Sequence, residues 1–124
     1  MKIAIGCSMK YRDLVREVVK NFETIGIIPL FPNLDYSKEN KDDANTIEEK
    51  KRLAMEHYLA IEAADKIYLI TPEGYMGTSL KLELGYALAK NKPIYFSEPT
   101  KDMGLDCYAK EFIPTNNIKK FLEL

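Results

Sequence analysis

Residues 74–93 read GYMGTSLKLELGYALAKNKP and place one carboxylate, Glu83, in a stretch dominated by Leu, Ala, Gly and Tyr. Desolvating a carboxylate in such surroundings is costly, so either Glu83 reaches solvent along the helix flank or a site uses it. On a helical wheel Leu80, Leu84, Ala87 and Leu88 share one face, and Glu83 lies at its flank beside Leu80 and Ala87. It is within about two turns of the helix amino end, where the backbone dipole favours the ionised form. The chemistry open to it is that of a charged carboxylate aimed at a ligand.

Two loops could hold that ligand. Gly6-Cys7-Ser8-Met9-Lys10 follows an apolar run and leads into a helix. Gly6 permits close backbone approach, Ser8 offers a hydroxyl and Lys10 or Arg12 adds charge, so this loop can take an anion such as a 5′-phosphate. An ordinary strand-to-helix turn with a serine cap explains the same residues. In the second loop, residues 72–77, Gly74 and Gly77 allow tight geometry, and Tyr75 and Met76 supply a stacking wall. Thr78 and Ser79 are placed to cap the next helix while presenting hydroxyls.

Elements able to position these groups alternate along the chain. Residues 2–6 predict a first strand. Leu14, Val15, Val18, Val19, Phe22 and Ile25 repeat at helical spacing, and Gly26 stands where a left-handed cap ends that helix. Residues 27–31 predict a second strand. The polar stretch 33–45, NLDYSKENKDDAN, predicts a mobile loop or lid, or equally a solvated excursion. Thr46 and Glu49 have capping-box spacing and open a helix to about Ala64. Strands at 66–71 and 93–96 flank the Glu83 helix, expected over 78–90. A short fifth strand falls near Phe112 and Ile113, and a last amphipathic helix uses Ile118, Phe121 and Leu122. Strands alternating with helices read as one α/β domain over residues 1–124, a three-layer doubly wound parallel sheet of about five strands in the order 2-1-3-4-5. Ligands of such sheets bind beyond the carboxyl ends of the strands, where Glu83 and Ser8 would converge.

Composition narrows the partners. The 124 residues are 46% hydrophobic and 30% charged with a formal net charge of −1, which leaves no broad basic surface for a nucleic acid polymer. No apolar run approaches membrane-spanning length, and the opening MKIAIGC reads as a buried strand, not as a lipoprotein signal. Cys7 and Cys107 form no CxxC pair and there is one histidine, so no metal or other cofactor is expected, and unpaired cysteines fit a cytoplasmic location. Cys7 reads as a small buried residue and not a nucleophile. His57, on the wheel beside Ala54 and Ile61, reads as a hydrogen-bonded core-flank residue in preference to an acid or ligand.

The stretch 64–93, with Ala64-Asp65, an apolar strand, a glycine-containing turn, Glu83-Leu84-Gly85-Tyr86-Ala87 and Lys92-Pro93, resembles the nucleoside 2-deoxyribosyltransferase-like superfamily. The loop at Gly6, Ser8 and Lys10 is similar to the phosphate-binding loop of its monophosphate-hydrolysing branch. The resemblance implies a flavodoxin-like fold and Glu83 as the nucleophile that attacks the anomeric carbon of a (deoxy)ribose. A second base or water then resolves the glycosyl-enzyme. It also implies that Asp65 could touch the sugar hydroxyls, although an ordinary helix-terminal aspartate explains that residue too. Where many relatives carry Asp or Ser six residues ahead of the nucleophile, this chain has Gly77, and its ending KKFLEL does not repeat the transferases' C-terminal carboxylate.

Two function classes follow. One is an enzyme that exchanges or hydrolyses the N-glycosidic bond of a nucleoside or nucleoside monophosphate; the other is a non-catalytic nucleotide-binding module using the same crevice. Leu82, Gly85, Tyr86 and Ala89 give the Glu83 helix a second small or apolar face, which predicts a homodimer packed across it unless the 33–45 loop covers it.

Overall fold

The computed structural model describes residues 1–32, 34 and 46–124. The expected loop at 33–45 therefore lies outside the described residues, apart from Leu34. Five parallel strands form one sheet in the order β2-β1-β3-β4-β5: β1 (Lys2–Gly6), β2 (Ile28–Leu30), β3 (Lys66–Leu69), β4 (Ile94–Phe96) and β5 (Glu111–Phe112). The central register pairs Ala4 with Ile67, Ile5 with Tyr68 and Gly6 with Leu69. This is the doubly wound, flavodoxin-like architecture expected.

Side-chain alternation along the strands builds two cores. Ile3, Ile5, Tyr68, Ile70 and Tyr95 face α1 (Arg12–Thr24), through Val15, Val18, Val19 and Phe22, and the C-terminal segment, through Ile118 and Phe121. Ala4, Ile67, Leu69, Ile94 and Phe96 face the other way, onto Ile61 and Ala64 of α2 (Ile47–Ala63) and its junction, and Leu80, Leu84 and Ala87 of α3 (Thr78–Ala89). Glu83 therefore belongs to the second layer.

Local chemistry explains the boundaries. Gly26 ends α1 at φ +83, a region that costs other residues their Cβ clearance. Thr46 caps α2 by accepting from the Glu49 amide at 3.1 Å. Lys92 closes the other end, donating to the carbonyls of Glu62 at 2.9 Å and Ala64 at 2.8 Å.

The structure differs from expectation in three places. The C-terminal segment Thr115–Glu123 is a 3-10 run broken at Asn117, and Leu122 points outward at 55% exposure. Asn117, with φ −134, interrupts the helical path, so only Ile118 and Phe121 reach the core. A short helix α4 (Met103–Asp106) was not foreseen; the Asp102 carboxylate caps it through the Gly104 amide at 2.9 Å. Finally, β3 ends at Leu69 instead of Thr71. Thr71 bonds sideways: its amide donates to Ser97 Oγ at 2.8 Å and its hydroxyl to the Glu98 carbonyl at 2.7 Å.

The ring of Phe121 is fully buried against Phe22, Tyr68 and Tyr95, with centroid separations of 5.5, 5.0 and 5.3 Å. Phe121→Ala is expected to lose about 3–5 kcal/mol of stability. Urea unfolding followed by circular dichroism measures this, and a loss below ~1 kcal/mol would show that the C-terminal segment does not complete the first core.

Candidate active site

At the carboxyl end of β1 the backbone of Gly6 lies directly beneath Glu83. A Cβ added at Gly6 would stand 2.8 Å from Glu83 Oε1, 2.7 Å from Leu80 Cδ1 and 2.9 Å from Leu69 Cδ2. These separations are inside van der Waals contact, so the absence of a side chain at position 6 is what lets α3 set a carboxylate on the strand tip. Leu80, Leu84 and Ala87 bury the rest of that helix face, and Glu83 itself keeps 15% of its side-chain surface accessible.

His57 faces the carboxylate from α2. Its Nε2 lies 3.1 Å from Glu83 Oε1, and its side chain is only 6% exposed. Oε1 is sealed from solvent and takes no well-aligned hydrogen bond, so the contact is chiefly one of charge. His57 Nδ1 is also buried and has no hydrogen-bond partner among the described residues. Burial alone would push the imidazole down, but the negative charge and close contact of Glu83 outweigh it and hold His57 above the ordinary imidazole value. Among the described residues, two other titratable groups coupled to Glu83 are kept neutral. Burial pushes the Cys7 thiol up to about 12, against a backbone hydrogen bond at Ser8 and with help from the charge of Glu83. Tyr58 is likewise raised by burial and by Glu83. Cys7 is thus a thiol and not a nucleophile at neutral pH.

Contacts between α2 and α3 hold the pair in register. Tyr58 and Tyr86 stack with centroids 4.7 Å apart. The Tyr86 hydroxyl donates to Glu62 Oε1 at 2.6 Å, and Lys90 Nζ meets the same oxygen at 2.9 Å.

Above the floor, the two loops meet as an aromatic and cationic rim. Lys10 Nζ rests 3.6 Å from the centroid of the Tyr75 ring, and Tyr11 is tilted against Tyr75 at 6.1 Å. Tyr75 remains 39% exposed. Its hydroxyl occupies the space beside Gly77, 3.1 Å from where a Cβ would be, so a side chain at 77 would require the ring to move. Gly6, Lys10, Tyr75 and Gly77 therefore belong to contacts at the carboxyl ends of β1 and β3. Ser8 starts the 3-10 turn Met9–Tyr11 without a side-chain cap bond. Thr78 and Ser79 do not cap α3 as expected: Gly77, in an extended conformation, takes the capping position and they form the first turn. That places Ser79 one turn ahead of Glu83 on the same side of the helix.

Asp65 is not brought to this group. It precedes the central strand β3 at the amino-terminal end of the sheet, where its Oδ2 accepts from the Lys2 amide at 2.8 Å. The length of a five-residue strand, about 13 Å, separates that end from Gly6. The residue that sequence reasoning undervalued is His57. The signal was present in its wheel position next to Ile61 and in a strand order that sets α2 beside α3.

No protein-family model and no curated protein matches the sequence. Solved structures do. The chain has a 2-deoxyribosyltransferase-like fold. A 2-deoxyribosyltransferase from the psychrotolerant bacterium Bacillus psychrosaccharolyticus superposes with a TM-score of 0.68 at 17% identity, covering 96% of this chain and 90% of that one. A conserved protein from Enterococcus faecalis V583 gives a TM-score of 0.60 at 15% identity over 98% of each chain.

Because His57 is the sole histidine, its titration can be followed directly by NMR. The wild-type ring is expected to titrate above ~6.5, and in Glu83→Gln below it, since burial then acts alone. A raised folded-state value means the pair's contribution to stability is complete below the ordinary imidazole pKa and is lost as pH rises through the folded one. The stability difference between wild type and Glu83→Gln should therefore shrink with rising pH. A gap that widens, or a ring whose titration ignores residue 83, refutes the pairing.

Proposed function

We propose that this protein cleaves the N-glycosidic bond of a (deoxy)nucleoside or nucleoside monophosphate, by transfer to a second base or to water, with Glu83 as nucleophile. The observation that carries this reading is the Glu83 carboxylate itself, set over Gly6 at the strand tips, mostly desolvated and faced by the His57 imidazole. The likeness in fold to a 2-deoxyribosyltransferase supports it.

The chemistry follows from the placement. The carboxylate attacks C1′ from the face opposite the base, the C1′–N bond breaks, and the base departs with the bonding pair and takes up a proton. The resulting glycosyl ester splits one difficult displacement into two easier ones, and attack by a base or water on the other face restores the carboxylate with net retention. A low-dielectric surround strengthens the field of the carboxylate at a developing oxocarbenium ion. Ser8 and Lys10 are assigned to the sugar or 5′-phosphate end, Tyr75 with Gly77 to the wall of the crevice, and Thr78 and Ser79 to polar contacts from the first turn of α3. Asp65, at the amino-terminal end of the strands, is left out of this assignment.

A non-catalytic nucleotide-binding module is the second reading, favoured by Gly77, whose place beside the nucleophile helix is filled by the Tyr75 hydroxyl. Incubation with a panel of nucleosides and monophosphates, with and without an acceptor base, separates the two. Release of free base that Glu83→Ala reduces by at least about 10³-fold is expected. Saturable binding without turnover across the panel would establish the second reading instead.

Assembly is part of the proposal. Leu82 is 59% exposed, Gly85 has nothing within 4 Å of its Cβ position, and Ala89 is exposed beside them, whereas Tyr86, expected on the same face, stacks on Tyr58 of α2 within the chain. We assign this face of α3 to a two-fold dimer contact. Free Cys7 and Cys107 are compatible with the cytoplasm. Leu82→Glu is expected to halve the mass seen by size exclusion with light scattering, whereas an unchanged mass would place the contact elsewhere or show none.

A further inference from the structure

The ion pair of His57 with Glu83 differs in kind from the surface pairs Arg16–Asp13 and Arg52–Glu56, whose side chains stand in solvent. Both of its members are largely withdrawn from water, and among the described residues the other titratable groups coupled to Glu83, Cys7 from the β1 loop and Tyr58 from α2, are held neutral. The carboxylate is also asymmetric. Oε1 is enclosed between the Gly6 backbone and the His57 ring, so the accessible part of the side chain lies on its other atoms. In an in-line displacement the base leaves on the far side of C1′ from the attacking oxygen. A group packed beside the carboxylate therefore cannot hand the leaving base its proton, and must act through Glu83.

Building on the glycosyl-transfer reading above, we infer that His57 is a positioning residue that holds Oε1, leaves Oε2 as the attacking atom, and stabilises the carboxylate when it is expelled from the glycosyl ester. In the first half-reaction the Oε2–C1′ bond forms as the C1′–N bond breaks, the base keeps the bonding pair, and solvent supplies its proton. In the second, an incoming base or water bonds to C1′ and loses a proton to solvent, and the Oε2–C1′ pair returns to the carboxylate. The negative charge is thus consumed in the first half and regenerated in the second. A fixed imidazolium opposes the first step slightly and favours the second, because it binds the free carboxylate better than the ester. An unpaired carboxylate regenerated in this sealed position would have no compensation.

The experiment compares wild type with His57→Gln, which keeps a neutral donor near Oε1, on the best substrate of the panel. Steady-state base release by the variant is expected to fall by about 10²-fold, the scale of losing one preorganised stabilising group. A fast first turnover should precede it, with the glycosyl adduct on Glu83 accumulating in intact-mass spectra. The wild type's decline in kcat at alkaline pH, from loss of the imidazolium, should be absent from the variant. A variant with wild-type kcat and pH profile, or one slowed in both phases with no adduct, overturns the inference. So that the test survives a variant that fails to fold, the wild-type ring is also followed by NMR while a slowly released 2′-fluoro-2′-deoxynucleoside occupies Glu83. The titration midpoint of the ring should fall when the ester forms, because the neutral ester holds the imidazolium less well than the free carboxylate does, and an unmoved midpoint counts against the role. A wild type that releases no base from any substrate overturns the glycosyl-transfer reading and this inference together, whereas an active wild type with either negative result overturns this inference alone.

Discussion

A carboxylate held out of bulk water at the tip of a central strand is the constraint around which this molecule is arranged. Desolvation of a lone ionised group costs several kcal/mol, about as much as the whole domain can spare. Two features make Glu83 tolerable there. Gly6 leaves space for Oε1 against the backbone, and the His57 imidazole, held above its ordinary value by the carboxylate, stands 3.1 Å from it. Neither compensates without the other, since an alanine at 6 would displace the oxygen that the imidazole faces.

That dependence passes outward into the helix layer. His57 and Glu83 sit on different helices, so their separation is only as well defined as the packing of α2 on α3. The stack of Tyr58 on Tyr86 and the convergence of Tyr86 and Lys90 on Glu62 fix that packing away from the site. Lys92 ties the end of α2 to the strand that follows α3. The exposed polar contacts contribute little individually in water, but each restrains the sliding of one helix past the other, which is the motion that would open the buried pair.

The architecture was largely legible in the sequence because each element carries its own local signal. Periodicity in α1, Gly26 at its end, the Thr46 cap of α2 and the apolar runs of β1, β3 and β4 all act over a few residues, and all appear where expected except that β3 stops two residues short. The C-terminal segment was misread because Ile118 and Phe121 satisfy a helical pattern that Asn117 breaks in the backbone. The site was legible only in part. Glu83 stood out because a charge in an apolar helix is a local anomaly, whereas His57 becomes meaningful only when another helix, distant in sequence, is laid beside its own. Asp65 failed for the complementary reason: closeness in sequence to an important strand says nothing about which end of the sheet a residue occupies.

The rim obeys a different logic from the floor. Lys10, Tyr11 and Tyr75 are partly open to solvent, and the ammonium of Lys10 already lies on the Tyr75 face. A planar base entering that side must share the ring with Lys10 or displace it, while an anionic group would draw the ammonium toward itself and uncover the ring. Under the proposed reading, recognition at the rim would be coupled: the part of a ligand that carries negative charge would change the surface offered to the part that stacks. Such coupling tolerates sequence change, because an aromatic ring and a flexible cation can be rearranged at small cost. The floor has no such latitude, since a single added methyl at Gly6 reaches the carboxylate itself. The placement of Glu83 is thus specified most tightly where the backbone, not a side chain, forms the wall.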